Sequence, residues 1–286
     1  MRYEAPTSTE EAVGLLAGER GSAFVLAGGT DLLVRLRSGH IEPDLVVDVK
    51  RIPSFRAIAA VDGGISIGAA VPSAVLGEHE IAVKRWPGVV ESARLIGSTQ
   101  IQGRATIAGN LCNASPAADS VPAMIAAGAR AVIVGPKGRR EVAVEEIPVA
   151  PGKTSLAKGE ILESIRLPAP AARTGEAYLR FIPRTEMDIA VVGAGVSLTL
   201  DEGGVCRAAR VALGAVAAKV LLVQEAAAAL IGSRVDDKAL ANLAAAASAA
   251  CRPIDDKRGT REFRIQVAGV LARRAAEIAL ERARKN

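Results

Sequence analysis

Phe24-Val25-Leu26-Ala27-Gly28-Gly29-Thr30-Asp31-Leu32-Leu33 is the stretch on which the reading of this chain turns. An apolar run stops at paired glycines and gives way to a hydroxyl and a carboxylate. Glycine has no Cβ, so its N–H can approach a phosphate or lie under a ring. Successive N–H groups form an anion-binding nest. Upstream, Thr7 or Ser8 caps a helix over 9–17, with Glu10 and Glu11 in its first turn. Residues 23–26 read as a short buried strand. Thr30 or Asp31 caps the next helix, which carries Leu32, Leu33 and Leu36 on one side, and 45–49 is a second strand. The result is a βαβ-type unit with its glycines at the carboxyl end of a strand, where open α/β sheets bind ligands.

A second stretch repeats the chemistry: Thr106-Ile107-Ala108-Gly109-Asn110-Leu111-Cys112-Asn113-Ala114-Ser115-Pro116-Ala117-Ala118-Asp119. Thr106, Asn110 and Asn113 offer a hydroxyl and amides beside Gly109. Asp119 sits at a helix start, either as a cap or as a carboxylate for ribose or adenine donors. Two long, many-donored loops favour a dinucleotide over a lone phosphate.

The rest of the chain is organised around these loops. A second α/β region starts near residue 52, with a strand at 65–68, helices from Pro72-Ser73 and after Pro87, and a short apolar helix over 122–127. A hairpin pairs 131–134 with 141–144, and 161–167 is a strand ended by Pro168. Pro168-Ala169-Pro170-Ala171-Ala172 reads as a linker. Beyond it, 178–182, 190–200 and 205–213 read as three antiparallel strands, the last two joined by a turn at Asp201-Glu202-Gly203-Gly204. Ala-rich helices follow at 219–231, 237–250 and 261–284. The expected domains are 1–52, 53–168 and 174–286.

Composition excludes several function classes. The chain has 286 residues, of which 50% are hydrophobic, enough for a sizeable core. No apolar stretch reaches the roughly 18 residues of a membrane span. The first residues, Met1-Arg2-Tyr3-Glu4-Ala5-Pro6, lack a signal peptide's apolar region. The chain therefore reads as soluble and cytoplasmic. Cys112, Cys206 and Cys251 are far apart and form no CxxC, and His40 and His79 lie in no ligand pattern, so neither a metal site nor a disulfide framework is expected. Net charge is +5, but with 2% aromatics there are no stacking platforms for nucleic acid. The basic run Arg273-Arg274, Arg282, Arg284 and Lys285 reads as a solvated helix face or a docking surface for an acidic partner.

Two other glycine motifs fail on inspection. Pro151-Gly152-Lys153-Thr154-Ser155 has Ile147 where a Walker loop needs its first glycine. Val192-Gly193-Ala194-Gly195-Val196-Ser197-Leu198 has Leu198 in place of the third glycine of a dinucleotide fingerprint, and it continues as a strand.

The paired segments AGGTD at 27–31 and TIAGN at 106–110 resemble the two FAD loops of the medium subunits of molybdenum hydroxylases, the carbon monoxide dehydrogenase and xanthine dehydrogenase family. The likeness runs nearly end to end. It implies an α+β chain with a PCMH-type FAD-binding fold: two α/β subdomains clamp FAD, and a C-terminal domain of a three-stranded antiparallel sheet and helices covers it. By resemblance the first loop, Ala27, Gly28, Gly29, Thr30 and Asp31, holds the FAD pyrophosphate, with Val25, Leu26 and Leu32 flanking. The second contributes Thr106, Ile107, Ala108, Gly109 and Asn110, with Asp119 as the family's later aspartate. Leu162 falls near a position that packs on the cofactor. Arg180 looks like a basic residue near the flavin ring that would stabilise reduced flavin, and 184–190 resembles the mobile loop beside that ring.

There are departures. Ala108 replaces the first glycine of the second loop, and Thr30-Asp31 stands where carbon monoxide dehydrogenases have His-Ser. The implied function is an FAD-binding electron-transfer subunit without catalytic acid–base or metal residues of its own. Its partners would be a large molybdenum-cofactor subunit and a small subunit with two [2Fe–2S] clusters, in a dimer of heterotrimers. A stand-alone flavin oxidase or reductase of the same fold, and a non-catalytic nucleotide-binding module, stay open at this point.

Overall fold

The computed structural model describes residues 1–286. The chain opens with β1 (Arg2–Glu4), α1 (Thr9–Gly18), β2 (Ala23–Leu26), α2 (Leu32–Arg37) and β3 (Leu45–Asp48). Ser8 caps α1 by accepting from the Glu11 N–H at 3.1 Å. The strands form a parallel sheet in the order β1-β3-β2. The β1 strand was not anticipated, because its three residues are too short to show a period. Strand β2, expected to be buried, is mostly half-exposed and Val25 is exposed, because β2 is the sheet's edge and faces open space. Asp31 occupies the N-cap position of α2, yet its side chain makes no cap.

The second lobe comprises β4 (Ile58–Val61), β5 (Gly64–Gly68), α3 (Ser73–Glu78), α4 (Glu80–Arg85), α5 (Pro87–Ala93), α6 (Thr99–Gln102), α7 (Ile107–Cys112), α8 (Ser120–Ala126), β6 (Arg130–Gly135), β7 (Gly138–Ala143), β8 (Pro148–Ala150), β9 (Lys153–Thr154) and β10 (Ile161–Leu167). Its main sheet runs β4-β5-β10-β6-β7, antiparallel throughout. The second glycine stretch opens as a short helix, α7, and only its later half, residues 113–119, is a loop. Thr106 caps α7 by accepting from the Gly109 N–H at 2.9 Å. One apolar core joins both lobes, with Trp86, Phe55 and Met124 fully buried.

The C-terminal part holds β11 (Thr174–Phe181), β12 (Val192–Leu200), β13 (Cys206–Gly214), β14 (Leu221–Leu222), α9 (Gln224–Ala228), α10 (Asp237–Ala250) and α11 (Arg261–Lys285). The expected three-stranded sheet gains β14 as a fourth strand, and the helix expected over 219–231 shrinks to α9. Val220-Leu221-Leu222-Val223 is a short apolar run that satisfies either period, and pairing with β13 decides it. The glycines of the rejected fingerprint serve packing. A Cβ on Gly195 would stand 2.5 Å from the Pro122 carbonyl oxygen, and one on Gly193 would stand 2.7 Å from the Tyr178 hydroxyl. They let β12 lie against α8 and β11.

Candidate functional site

Both glycine segments face the same open cleft, which has a cavity volume of about 290 Å³. It is walled by β2, the 27–32 turn, the 105–113 stretch, the β8–β9 hairpin and the start of β10. The two lobes meet closely here. A Cβ on Gly28 would stand 2.1 Å from the Arg104 carbonyl oxygen, so only glycine fits. Gly29 has φ +81°, a left-handed conformation that glycine adopts without penalty.

The N–H groups of Ala27 through Asp31 donate no hydrogen bond within the chain. Their orientation is set from behind. Lys50 donates to the Ala27 carbonyl at 3.2 Å and pairs with Asp48 at 2.7 Å, and Tyr3 donates to Asp48 at 2.5 Å. In a trans peptide the C=O and the following N–H point opposite ways. Holding the Ala27 carbonyl toward Lys50 therefore turns the Gly28 N–H away from it. The Asp48 carboxyl is buried, which opposes its charge, yet hydrogen bonds from Lys50 and Tyr3 hold it below the usual carboxylate range.

Opposite this segment, Asn113 donates to the Asp31 carboxylate at 3.2 Å and ties the two lips. Burial raises the Asp31 pKa, with Arg35 acting against it. Asn110 is partly committed: its Oδ1 accepts from the Ser120 N–H at 3.0 Å and the Ser120 hydroxyl at 2.7 Å, which leaves its amide N–H groups as donors. The N–H groups of Ile107 and Ala108, at the start of α7, also lack partners within the chain.

Of the residues anticipated from sequence, Val25, Ala27, Gly28, Gly29, Thr30, Asp31, Leu32, Thr106, Ala108, Gly109, Asn110 and Leu162 line the cleft. Leu26 and Ile107 are buried in the walls behind it. Asp119 and Arg180 do not line it. They form a buried ion pair at 3.0 Å, and Arg180 also donates to the Leu95 carbonyl at 2.8 Å, next to the cleft residue Ile96. Burial pushes the Asp119 carboxyl up to about 6 even beside Arg180. Its Oδ1 has no hydrogen-bond partner. Asp119 thus caps nothing.

Sequence reasoning quoted Phe24 without giving it a role and passed over Arg35 and Lys50, which belong to no glycine motif. It also discarded Gly152 and Thr154 with a failed Walker match, although the β8–β9 hairpin carries both into the cleft wall. The Gly152 N–H donates to Ala114 at 3.1 Å and docks that hairpin beside α7. At the rim Arg140 binds Glu160 through two hydrogen bonds of 2.7 Å.

Residues 1–170 match the family described as FAD binding domain in molybdopterin dehydrogenase, and residues 177–279 match the CO dehydrogenase flavoprotein C-terminal domain. The chain is 33% identical over 282 residues to the carbon monoxide dehydrogenase medium chain of Hydrogenophaga pseudoflava, covering 99% of this chain and 98% of that one. It is 30% identical over 267 residues to the xanthine dehydrogenase FAD-binding subunit of Escherichia coli O157:H7, covering 93% and 91%. A chain in the crystal structure of a cyanide-inactivated Cu,Mo-CO dehydrogenase superposes with a TM-score of 0.94 at 34% identity, covering 99% of this chain and 98% of that one.

Proposed function

The chain belongs to the family of FAD-binding medium subunits of the molybdopterin dehydrogenases, and on that premise we propose which of its residues hold FAD and what the subunit is joined to. It is an electron-transfer subunit of the molybdenum hydroxylase class. The observation that carries the site assignment is the run of unpartnered N–H groups at Ala27–Asp31 in a cleft walled by both glycine segments. Such a nest suits a diphosphate.

FAD, when bound, supplies the exchange between one-electron and two-electron transfer. The chain's own residues bind and orient. Gly28, Gly29 and Thr30 present donors to the diphosphate, while Lys50 holds the backbone that aims them. Thr106, Gly109 and Asn110 close the opposite wall. Val25, Leu32 and Leu162 supply apolar contact and exclude water. Leu26 and Ile107 back the walls, and Asp31 braces the lips through Asn113. Asp119 and Arg180 act as a buried ion pair behind the wall, anchored on the Leu95 carbonyl beside Ile96. The proposed domain division is 1–52, 53–168 and 174–286, which the three separate main sheets support.

The proposed partners are a molybdenum-cofactor subunit and a small subunit with two [2Fe–2S] clusters, assembled as a dimer of heterotrimers in the cytoplasm. The names "medium chain" and "complex subunit alpha" of the relatives support a multi-subunit assembly. No helix is long and apolar enough to cross a membrane. The test is a reconstituted complex carrying Gly29→Val with Asn110→Leu. Turnover with the acceptor that serves the wild-type complex should be abolished, while turnover with a dye that accepts electrons upstream of the flavin survives. Equal collapse of both rates, with subunit ratio intact, would overturn the electron-relay assignment.

A further inference from the structure

The buried apolar residues fall into two separate clusters. One fills the FAD-binding lobes and takes in only Tyr178, Ala212 and Val220 from beyond residue 173. The other lies wholly within 177–283. A seam of charge runs between the two bodies. Arg180 pairs with Asp119 at 3.0 Å, Arg210 pairs with Glu145 at 2.9 Å, and Arg282 binds both oxygens of Glu91. In every pair the arginine belongs to the C-terminal part and the carboxylate to the lobes. Arg180 and Arg210 also donate to the Leu95 and Ile125 carbonyls, each at 2.8 Å. Where backbones touch across the seam the residues are small: Gly88 lies against Ala177, and Gly195 against Pro122. The chain itself crosses once, at 168–173.

Such a seam opens more readily than an apolar one. Parted apolar surfaces lose their transfer free energy, whereas parted ions regain water. Asp119 Oδ1 and Glu145 Oε2 are buried without a hydrogen-bond partner, so parting hydrates groups that closure leaves orphaned. The backbone is strained at the same boundary. Arg173, in the crossing segment, has φ +56°. Met187 (φ +52°) and Ala215 (φ +63°) each donate an N–H across the seam, to the Gly97 carbonyl at 3.4 Å and the Pro116 carbonyl at 2.7 Å. Non-glycine residues in this left-handed region store strain that the surrounding contacts must hold. Both acceptors adjoin the cleft wall. Gly97 follows the cleft residue Ile96, and Pro116 lies in the loop that begins at Asn113, the residue that ties the lips through Asp31.

We infer that the C-terminal part is a lid docked on the FAD-binding lobes by this arginine–carboxylate seam and hinged at 168–173, and that its opening sets the rate at which FAD enters and leaves. The inference rests on the flavin assignment above. Arg210 and Glu145 are the pair on which to test it, because neither lines the cleft.

The test uses the full-length chain, stripped of flavin to measure FAD association and loaded with FAD to measure release, with both rates followed by flavin fluorescence. Arg210→Glu and Glu145→Arg should each raise both rates about tenfold, because each sets like charges across the seam. The dissociation constant should stay almost unchanged, because a lid gates both directions alike. The double variant Arg210→Glu with Glu145→Arg restores opposite charges and should return both rates toward wild type. Where a reversed charge prevents folding, Arg210→Gln and Glu145→Gln should shift the rates in the same direction. Unchanged rates in the folded single variants would overturn the lid, as would a double variant that exchanges FAD as fast as the singles. Faster release with unchanged association would make the pair a support of the bound state and overturn the lid, with the flavin assignment standing. A wild-type chain that takes up no FAD would overturn the flavin assignment and the lid together.

Discussion

Gly28→Ala is the smallest change that tests the cleft's architecture. The new Cβ would stand 2.1 Å from the Arg104 carbonyl oxygen, 2.9 Å from the Arg104 carbonyl carbon and 3.1 Å from the Ala105 Cα. All three are backbone atoms, so no rotamer change relieves the overlap. Ordinary contact begins at 3.4 Å, and the 27–31 segment must withdraw from the second lobe to reach it. A hydrogen bond to a charged group contributes about 1.5–3 kcal/mol. Misaligning two nest donors therefore costs about 3–6 kcal/mol, or roughly 10²- to 10⁴-fold in FAD affinity. Gly29→Ala is the control. Its Cβ would meet the Leu26 and Leu33 Cδ1 atoms at 2.9 and 3.1 Å, side-chain ends that can swing aside. Its cost is the left-handed backbone, about 1–2 kcal/mol. FAD affinity should fall steeply in Gly28→Ala and only about tenfold in Gly29→Ala. The assay is flavin titration of the apo chain, with the melting temperature confirming the fold. A folded Gly28→Ala variant that binds FAD like the wild type, or better than Gly29→Ala does, would refute the close-approach argument.

Lys50→Met removes the bond that holds the Ala27 carbonyl. FAD affinity should fall about tenfold with little change in melting temperature, and an unchanged titration would exclude a positioning role. Glu176 on β11 accepts from the Gly88 and Val89 N–H groups at 3.1 and 3.3 Å. Burial pushes its carboxyl up to about 8 from an ordinary 4.5, against those N–H groups and Arg282 and with Glu91 adding to the rise. A folded pKa above the unfolded one gives a stabilisation that is full below about 4.5 and lost as pH rises to about 8. Glu176→Gln should flatten that decline in melting temperature, and parallel profiles would contradict the assignment. Arg264, 3% exposed, donates to the Val191 carbonyl and to Asp256, each at 2.7 Å. Arg264→Met should lower unfolding stability by about 3 kcal/mol in urea, and a loss well under 1 kcal/mol would show that the pair is dispensable.

What the sequence determined by itself is local and periodic. The helices over 237–250 and 261–284 and the strands at 23–26 and 161–167 were legible because their patterns are long or sharply bounded. The glycine segments were legible as close-approach points because no other residue serves there. Gly28 and Gly29 line the cleft together with Gly109 and Asn110 as the motifs suggested.

Tertiary structure alone decided how these parts face one another. Whether Asp31 caps a helix or reaches Asn113, and whether Asp119 caps α8 or pairs with Arg180, depends on which distant chain comes near. A short polar side chain satisfies either partner equally well in sequence. Within the run 220–223, Leu221 and Leu222 became a strand because β13 offered an open edge. Lys50 carries no motif, and its place in the site comes from the Ala27 carbonyl set beside it by the β2–β3 pairing. Sequence periodicity records which face of an element is buried, whereas the partner across a cleft is fixed only when the packed lobes bring non-local groups within hydrogen-bond reach.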